Sequence, residues 1–127
     1  MTIYNAIQKL DNPAVYQDFL DSHFLKETTT EFLNKKYNIS KQYIRHCKAF
    51  VRGKENLSYS HESIPQPNSK PIFDRFMLEI NNLINNNQKI VVNRIALAIK
   101  TDHETVRSCL CYYAGTQNNI EFIKFRK

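Results

Sequence analysis

Seven basic side chains and no acidic one fall within residues 35–54: Lys35, Lys36, Lys41, Arg45, Lys48, Arg52 and Lys54. A run of cations unbroken by acids suits one kind of chemistry, the electrostatic capture of a polyanion. A second basic block, net +4, occupies residues 89–127, whereas residues 1–34 and 55–88 carry −3 and −2, in a chain of net charge +6. Charge serving only solubility would be interspersed, so two binding surfaces on mildly acidic scaffolding are the expectation. Other groups that could do chemistry lack partners. Asp18 and Asp21 share a helix face and His23 lies close by, but a catalytic metal site needs a third positioned ligand and usually a nearby Lys, so a solvated face accounts for them better. Cys109 and Cys111 point in different directions on a helix, and no second Cys pair completes a zinc knuckle. Ser58, Ser60 and His61 have no acid in register for nucleophilic catalysis. No enzymatic activity, metal or cofactor is expected.

The elements that must position the basic blocks are helical. The chain has 127 residues, 42% of them hydrophobic, with only two Gly and no Trp. That is enough for one compact domain or two very small ones, too little for a barrel or doubly wound sheet, and poor in the turns a sheet needs. Ile3, Ala6, Ile7 and Leu10 form one apolar stripe; Asn12-Pro13 is a cap and first-turn proline; Val15, Tyr16, Phe19, Leu20 and Phe24 form a second stripe. Thr28 and Glu31 read as a capping box opening a third helix. Pro65, Pro67 and several Ser without periodicity mark residues 55–70 as a linker. Phe73, Phe76, Met77, Ile80, Leu83 and Ile84 then repeat at helical spacing up to the Asn85-Asn86-Asn87 breaker. The expected organisation is a helical unit over 1–54, the linker, and a second unit over 71–127.

Within the first unit, Leu33–Cys47 fits two helices joined by a tight turn. Leu33 and Tyr37 face inward, Asn38 takes the left-handed position, Ile39 plugs the corner, Ser40 caps the next helix, and Ile44 and Cys47 return to the core. A shift of 62 residues lays Ile95 on Leu33, Ile99 on Tyr37, Lys100 on Asn38, Thr101 on Ile39, Asp102 on Ser40, Val106 on Ile44 and Cys109 on Cys47. Ala96 takes the small inward position that Asn34 fills in the first copy, and Lys100, a poor occupant of a left-handed position, predicts a distorted second turn. Residues 28–49 and 92–112 are expected to superpose. The stretch RIALAIKTDHETVRSCL resembles the helix-turn-helix of bacterial and phage transcription regulators, and its His103–Val106 run is similar to the recognition helix of the catabolite activator family. After Gly115, expected as the helix terminator, the alternation in IEFIKFRK suits a short strand or hairpin, the wing of a winged helix, tipped by Lys124 and Arg126; a plain extension covering the core is the alternative.

The fold class is therefore mostly α: two tandem helix-turn-helix units, the second winged-helix-like. The outward residues of the second helix in the first copy are Lys41, Gln42, Arg45, His46, Lys48 and Arg52, with Ser40 at its cap and Lys35 and Lys36 on the preceding helix. Arg matches guanine, Gln matches adenine, and Lys suits phosphate. The corresponding set in the second copy is His103, Glu104, Arg107, Ser108 and Cys111; Glu104 is a candidate for cytosine but repels phosphate, which makes this half the weaker reader and a candidate protein or dimer contact. The expected function is sequence-specific binding of double-stranded DNA, with recognition helices in the major groove, in transcription regulation. The rivals are a small factor docking on RNA polymerase or on a phage packaging or replication complex, and the DNA-binding part of a terminase or recombinase, against which the missing carboxylate constellation stands. A homodimer is among the partners considered. Odd, unpatterned cysteines, no leader-like segment and no membrane-length apolar run predict a cytoplasmic protein, in the host cytoplasm if phage-encoded; small size and Asn, Lys and Ile bias suit a phage or mobile element.

Overall fold

Asn12 Oδ1 accepts from the backbone N–H of Ala14 at 2.9 Å and of Val15 at 3.4 Å, and Pro13 fills the first helical position, where no N–H is required. This cap separates α1 (Ile3–Gln8) and a 3-10 turn (Lys9–Asp11) from α2 (Pro13–Phe24). The computed structural model describes residues 2–57 and 69–123. The remaining elements are α3 (Thr30–Tyr37), α4 (Lys41–Lys54), α5 (Ser69–Asn85), α6 (Val92–Ile99), α7 (His103–Gln117) and a 3-10 turn over Ile120–Ile123. Mostly helical is correct, and no strand occurs among the described residues.

Three boundaries differ from expectation. Thr29, not Thr28, caps α3, its hydroxyl accepting from Phe32 N–H at 3.0 Å. Gly115 does not end α7, which continues to Gln117 and stops at Asn118 in the left-handed region (φ 49°). The described part of the expected wing, Ile120–Ile123, is a 3-10 turn: Asn119 Oδ1 accepts from Glu121 N–H at 3.0 Å, and Ile123 is buried while Ile120 and Phe122 pack on the core. Lys124 and Arg126, like residues 58–68 of the linker, lie outside the described residues.

The two turns take the same form. Asn38 (φ 54°, ψ 44°) and Lys100 (φ 58°, ψ 54°) are both left-handed, so Lys100 does not distort its turn but carries the strain instead. Ser40 and Asp102 then cap α4 and α7 through Tyr43 N–H (3.2 Å) and Thr105 N–H (2.7 Å). Lys100→Gly should raise stability by about 1 kcal/mol, measured by urea unfolding; an unchanged or lowered midpoint would remove the strain from this account.

The 62-residue correspondence extends past the turns. α3 and α6 match at both ends, and Asn56 and Asn118, which close α4 and α7, are both left-handed. α4 and α7 run side by side in the same direction: Gln42 meets Glu104 in their first turns, and Gly53 lies against the backbone of Tyr112 and Thr116 near their ends. The contact is reciprocal. A Cβ on Gly53 would stand 2.1 Å from Tyr112 O, and one on Gly115 would stand 2.1 Å from Phe50 O, with Phe50 and Tyr112 themselves 62 apart. The chain is thus organised about a local two-fold between α4 and α7. One core cluster joins α1 to α4 with Cys111, Tyr112 and Ala114 of α7; the other joins α5, α6 and the remaining inner face of α7.

Candidate functional site

α4 has three faces, and its site follows from what covers each. Ile44, Cys47 and Val51 enter the core, while His46, Phe50 and Gly53 are buried on the side that adjoins α7. That leaves Lys41, Arg45, Lys48 and Arg52, spaced four, three and four apart, as a continuous stripe on the third face. Lys41 and Arg45 are exposed, and Lys48 and Arg52 are half-buried. α4 itself contains no acidic residue. Lys48 Nζ donates to Thr30 Oγ1 of α3 at 2.7 Å, and burial, Arg52 and Arg45 together push its ammonium down to about 8.

The flanking cations of α3 are less alike than the sequence suggests. Lys35 is exposed and makes a 3.4 Å pair with Glu31, an exposed contact of little energy. Lys36, expected as a phosphate clamp, is instead tied to Asp18 at 2.7 Å, and Asp18 also accepts from the Tyr37 hydroxyl. These partners hold the Asp18 carboxyl below its usual range. Asp21 accepts from Gln17 Nε2 at 2.8 Å, so neither carboxylate of the pair with metal-like spacing points to a common centre.

Two outward residues are misplaced by sequence reasoning. His46 and Cys111 are both fully buried where α4 meets α7. His46 Nε2–H donates to Glu104 Oε1 at 2.5 Å, and Cys111 Sγ–H donates to His46 Nδ1 at 3.9 Å; a neutral ring protonated on Nε2 satisfies both. Burial, Arg107 and Arg45 push His46 down to about 4. The Cys–His–Glu order resembles a hydrolase relay, but burial holds the Cys111 thiol well above its ordinary value, so it is a protonated core group and the chain of bonds is a lock between helices. Gln42 is exposed yet donates to the second Glu104 oxygen at 2.5 Å. Glu104, expected to face a base, is spent on α4, with Arg107 at 3.8 Å. Ser40 serves as a helix cap, His103 is exposed, and Arg107 and Ser108 are half-buried.

The second copy lacks the stripe. Shifted by 62, Lys41, Arg45, Lys48 and Arg52 become His103, Arg107, Leu110 and Ala114, the last two buried. The comparison of the two helices, within reach of the sequence alone, separates them: α4 keeps a charged face and α7 does not. Among the described residues no helix is long and apolar enough to cross a membrane. No family model, curated protein or solved structure matches the chain.

Proposed function

We propose that the chain binds double-stranded DNA, as a sequence-specific regulator, by laying α4 in the major groove. The observation that carries this reading is the stripe Lys41–Arg45–Lys48–Arg52, in a helix that contains no acidic residue, on the one face of α4 that neither the core nor α7 covers. An α-helix with side chains is about 10–12 Å wide and the major groove about 12 Å, so one helix enters. Packed helices lie about 8–10 Å axis to axis, whereas successive major-groove half-sites are about 34 Å apart. α4 and α7 therefore cannot read separate half-sites within one chain. The reading is a single recognition helix, α4, held from behind by α7, with Arg45 and Lys41 at its open end facing bases and Lys35, Lys48 and Arg52 facing phosphate. Gln42 reads adenine only if it leaves Glu104.

Duplex affinity is expected to fall with salt at a slope of about −0.9 in log K per phosphate neutralised. Arg45→Ala should cost the preferred duplex about 1–3 kcal/mol and spare most nonspecific binding, whereas Lys35→Ala should weaken all duplexes alike. Gel-shift or anisotropy titrations with selected and random duplexes provide the measurement. A flat salt dependence would favour the protein-docking function instead.

A further inference from the structure

We infer that Glu104 is a specificity-determining residue of the α4 surface: its carboxylate restrains Gln42 and so withholds an adenine-reading side chain from the bases. This role rests on α4 being the helix that enters DNA. Gln42 and Glu104 are 62 residues apart and stand at the same level, in the first turns of α4 and α7. Glu104 therefore lies at the end of α4 that carries the exposed Lys41 and Arg45. Its two oxygens have separate tasks. Oε1 accepts from the buried His46 Nε2–H at 2.5 Å, which fastens α7 to α4. Oε2 accepts from Gln42 Nε2 at 2.5 Å, with Arg107 farther away at 3.8 Å. A carboxylate only accepts, so the amide nitrogen of Gln42, and not its oxygen, is turned toward Glu104. Reading adenine takes both ends of that amide, the oxygen accepting from N6–H and the nitrogen donating to N7.

Burial does not force this bond. Gln42 is exposed and the Glu104 side chain is 43% exposed, so water can satisfy both groups. The consequence of the bond is positional: an exposed side chain with several rotamers is drawn sideways onto α7 by a charge-assisted bond, roughly twice as strong as the neutral bonds that adenine offers. The same carboxylate repels phosphate, a cost that falls on every duplex alike. Restraint of Gln42 and repulsion of phosphate are thus separable, because only the first depends on the base.

Four chains separate them: wild type, Gln42→Ala, Glu104→Gln and the double variant, each titrated with a duplex selected from random sequence and with its single-base changes. Glu104→Gln keeps an oxygen for the His46 Nε2–H and removes the charge. Truncating Gln42 is expected to cost less than about twofold in preference for adenine in the wild-type background and about tenfold in the Glu104→Gln background, at one base position. A purely structural Glu104 would change stability and leave base preference where it was. Equal effects of Gln42→Ala in the two backgrounds would overturn the restraint. So would a uniform gain in affinity of Glu104→Gln for all duplexes with no new adenine preference, which would reduce Glu104 to a repelling charge. If Glu104→Gln does not fold, the wild-type background decides: a tenfold loss of adenine preference in Gln42→Ala would show Gln42 reading despite Glu104. Failure of the DNA reading itself has a different signature, no duplex bound by any of the four chains, and takes the role of Glu104 with it.

Discussion

Gly115→Ala is expected to destabilise the protein by about 3–5 kcal/mol, at the upper end of single-residue effects. Helix propensity argues the other way: Gly115 lies inside α7, where Ala is favoured over Gly by about 1 kcal/mol. Space decides the sign. The added Cβ would lie 2.1 Å from Phe50 O and 2.8 Å from Lys54 N, both backbone atoms of α4 that no rotamer change can move aside. Relief requires α7 to shift away from α4, which opens the contact at Tyr112, Cys111 and His46 together. Gly53→Ala should behave alike, because its Cβ would meet Tyr112 O at 2.1 Å across the same local two-fold. The double variant should then cost less than the sum, since one displacement of the helices relieves both clashes. Urea unfolding at neutral pH measures all three. A loss under about 1 kcal/mol in either single variant would mean that α4 and α7 do not touch through these glycines.

The elements are legible in the sequence where a local signal sets them. Asn12-Pro13, Ser40 and Asp102 announce helix starts because a side chain caps the backbone within three residues, and the apolar stripe from Phe73 to Leu83 carries its own period. The site is legible only in part. Periodicity shows that His46 and Cys111 lie off the local core of their own pair of helices; it does not show that another helix covers them. Two signals point to that cover. The chain's two glycines, Gly53 and Gly115, stand at the same 62-residue offset inside helices, where Gly is unfavourable without a close approach to permit. Residues 108–115 also contain no charge, the mark of a helix packed on more than one side. The described part of the expected wing differs for another reason: Ile120, Phe122 and Ile123 serve a 3-10 turn as well as the start of a strand, and Asn119 settles it locally.

The two copies divide their roles through a few substitutions at matched positions. Gln42 opposes Glu104, so the local two-fold joins a neutral donor to a carboxylate, and Glu104 bonds both Gln42 and His46. Were both positions Glu, the first turns would repel; were both Gln, His46 would lose its charged partner. Lys48 and Arg52 keep α4 charged outside while Leu110 and Ala114 bury the matching face of α7. The asymmetry leaves α4, and not α7, with a charged outer face, and on that ground the proposed function assigns reading to α4 alone.

Acid should weaken the contact that His46 makes between α4 and α7. His46 is pushed from 6.5 to about 4 in the folded chain, first by burial and then by the charges of Arg107 and Arg45. A histidine with a depressed folded pKa binds its proton more readily when unfolded. Stability is therefore full above pH 6.5, falls as pH drops through 6.5 toward 4, and loses about 3 kcal/mol across that window. Asp18 and Asp102, both held below their ordinary value of 3.8, act in a separate window: their contribution is present above that value and is lost as pH falls through their lowered folded values. Urea midpoints taken at intervals from pH 7.5 to 4.5 should thus decline in the wild-type chain. In His46→Gln the amide can still donate to Glu104 and does not titrate, so its midpoint should begin lower at pH 7 and stay level across the same range. Equal slopes in the two chains would assign the acid sensitivity to some other group and leave His46 a passive core residue.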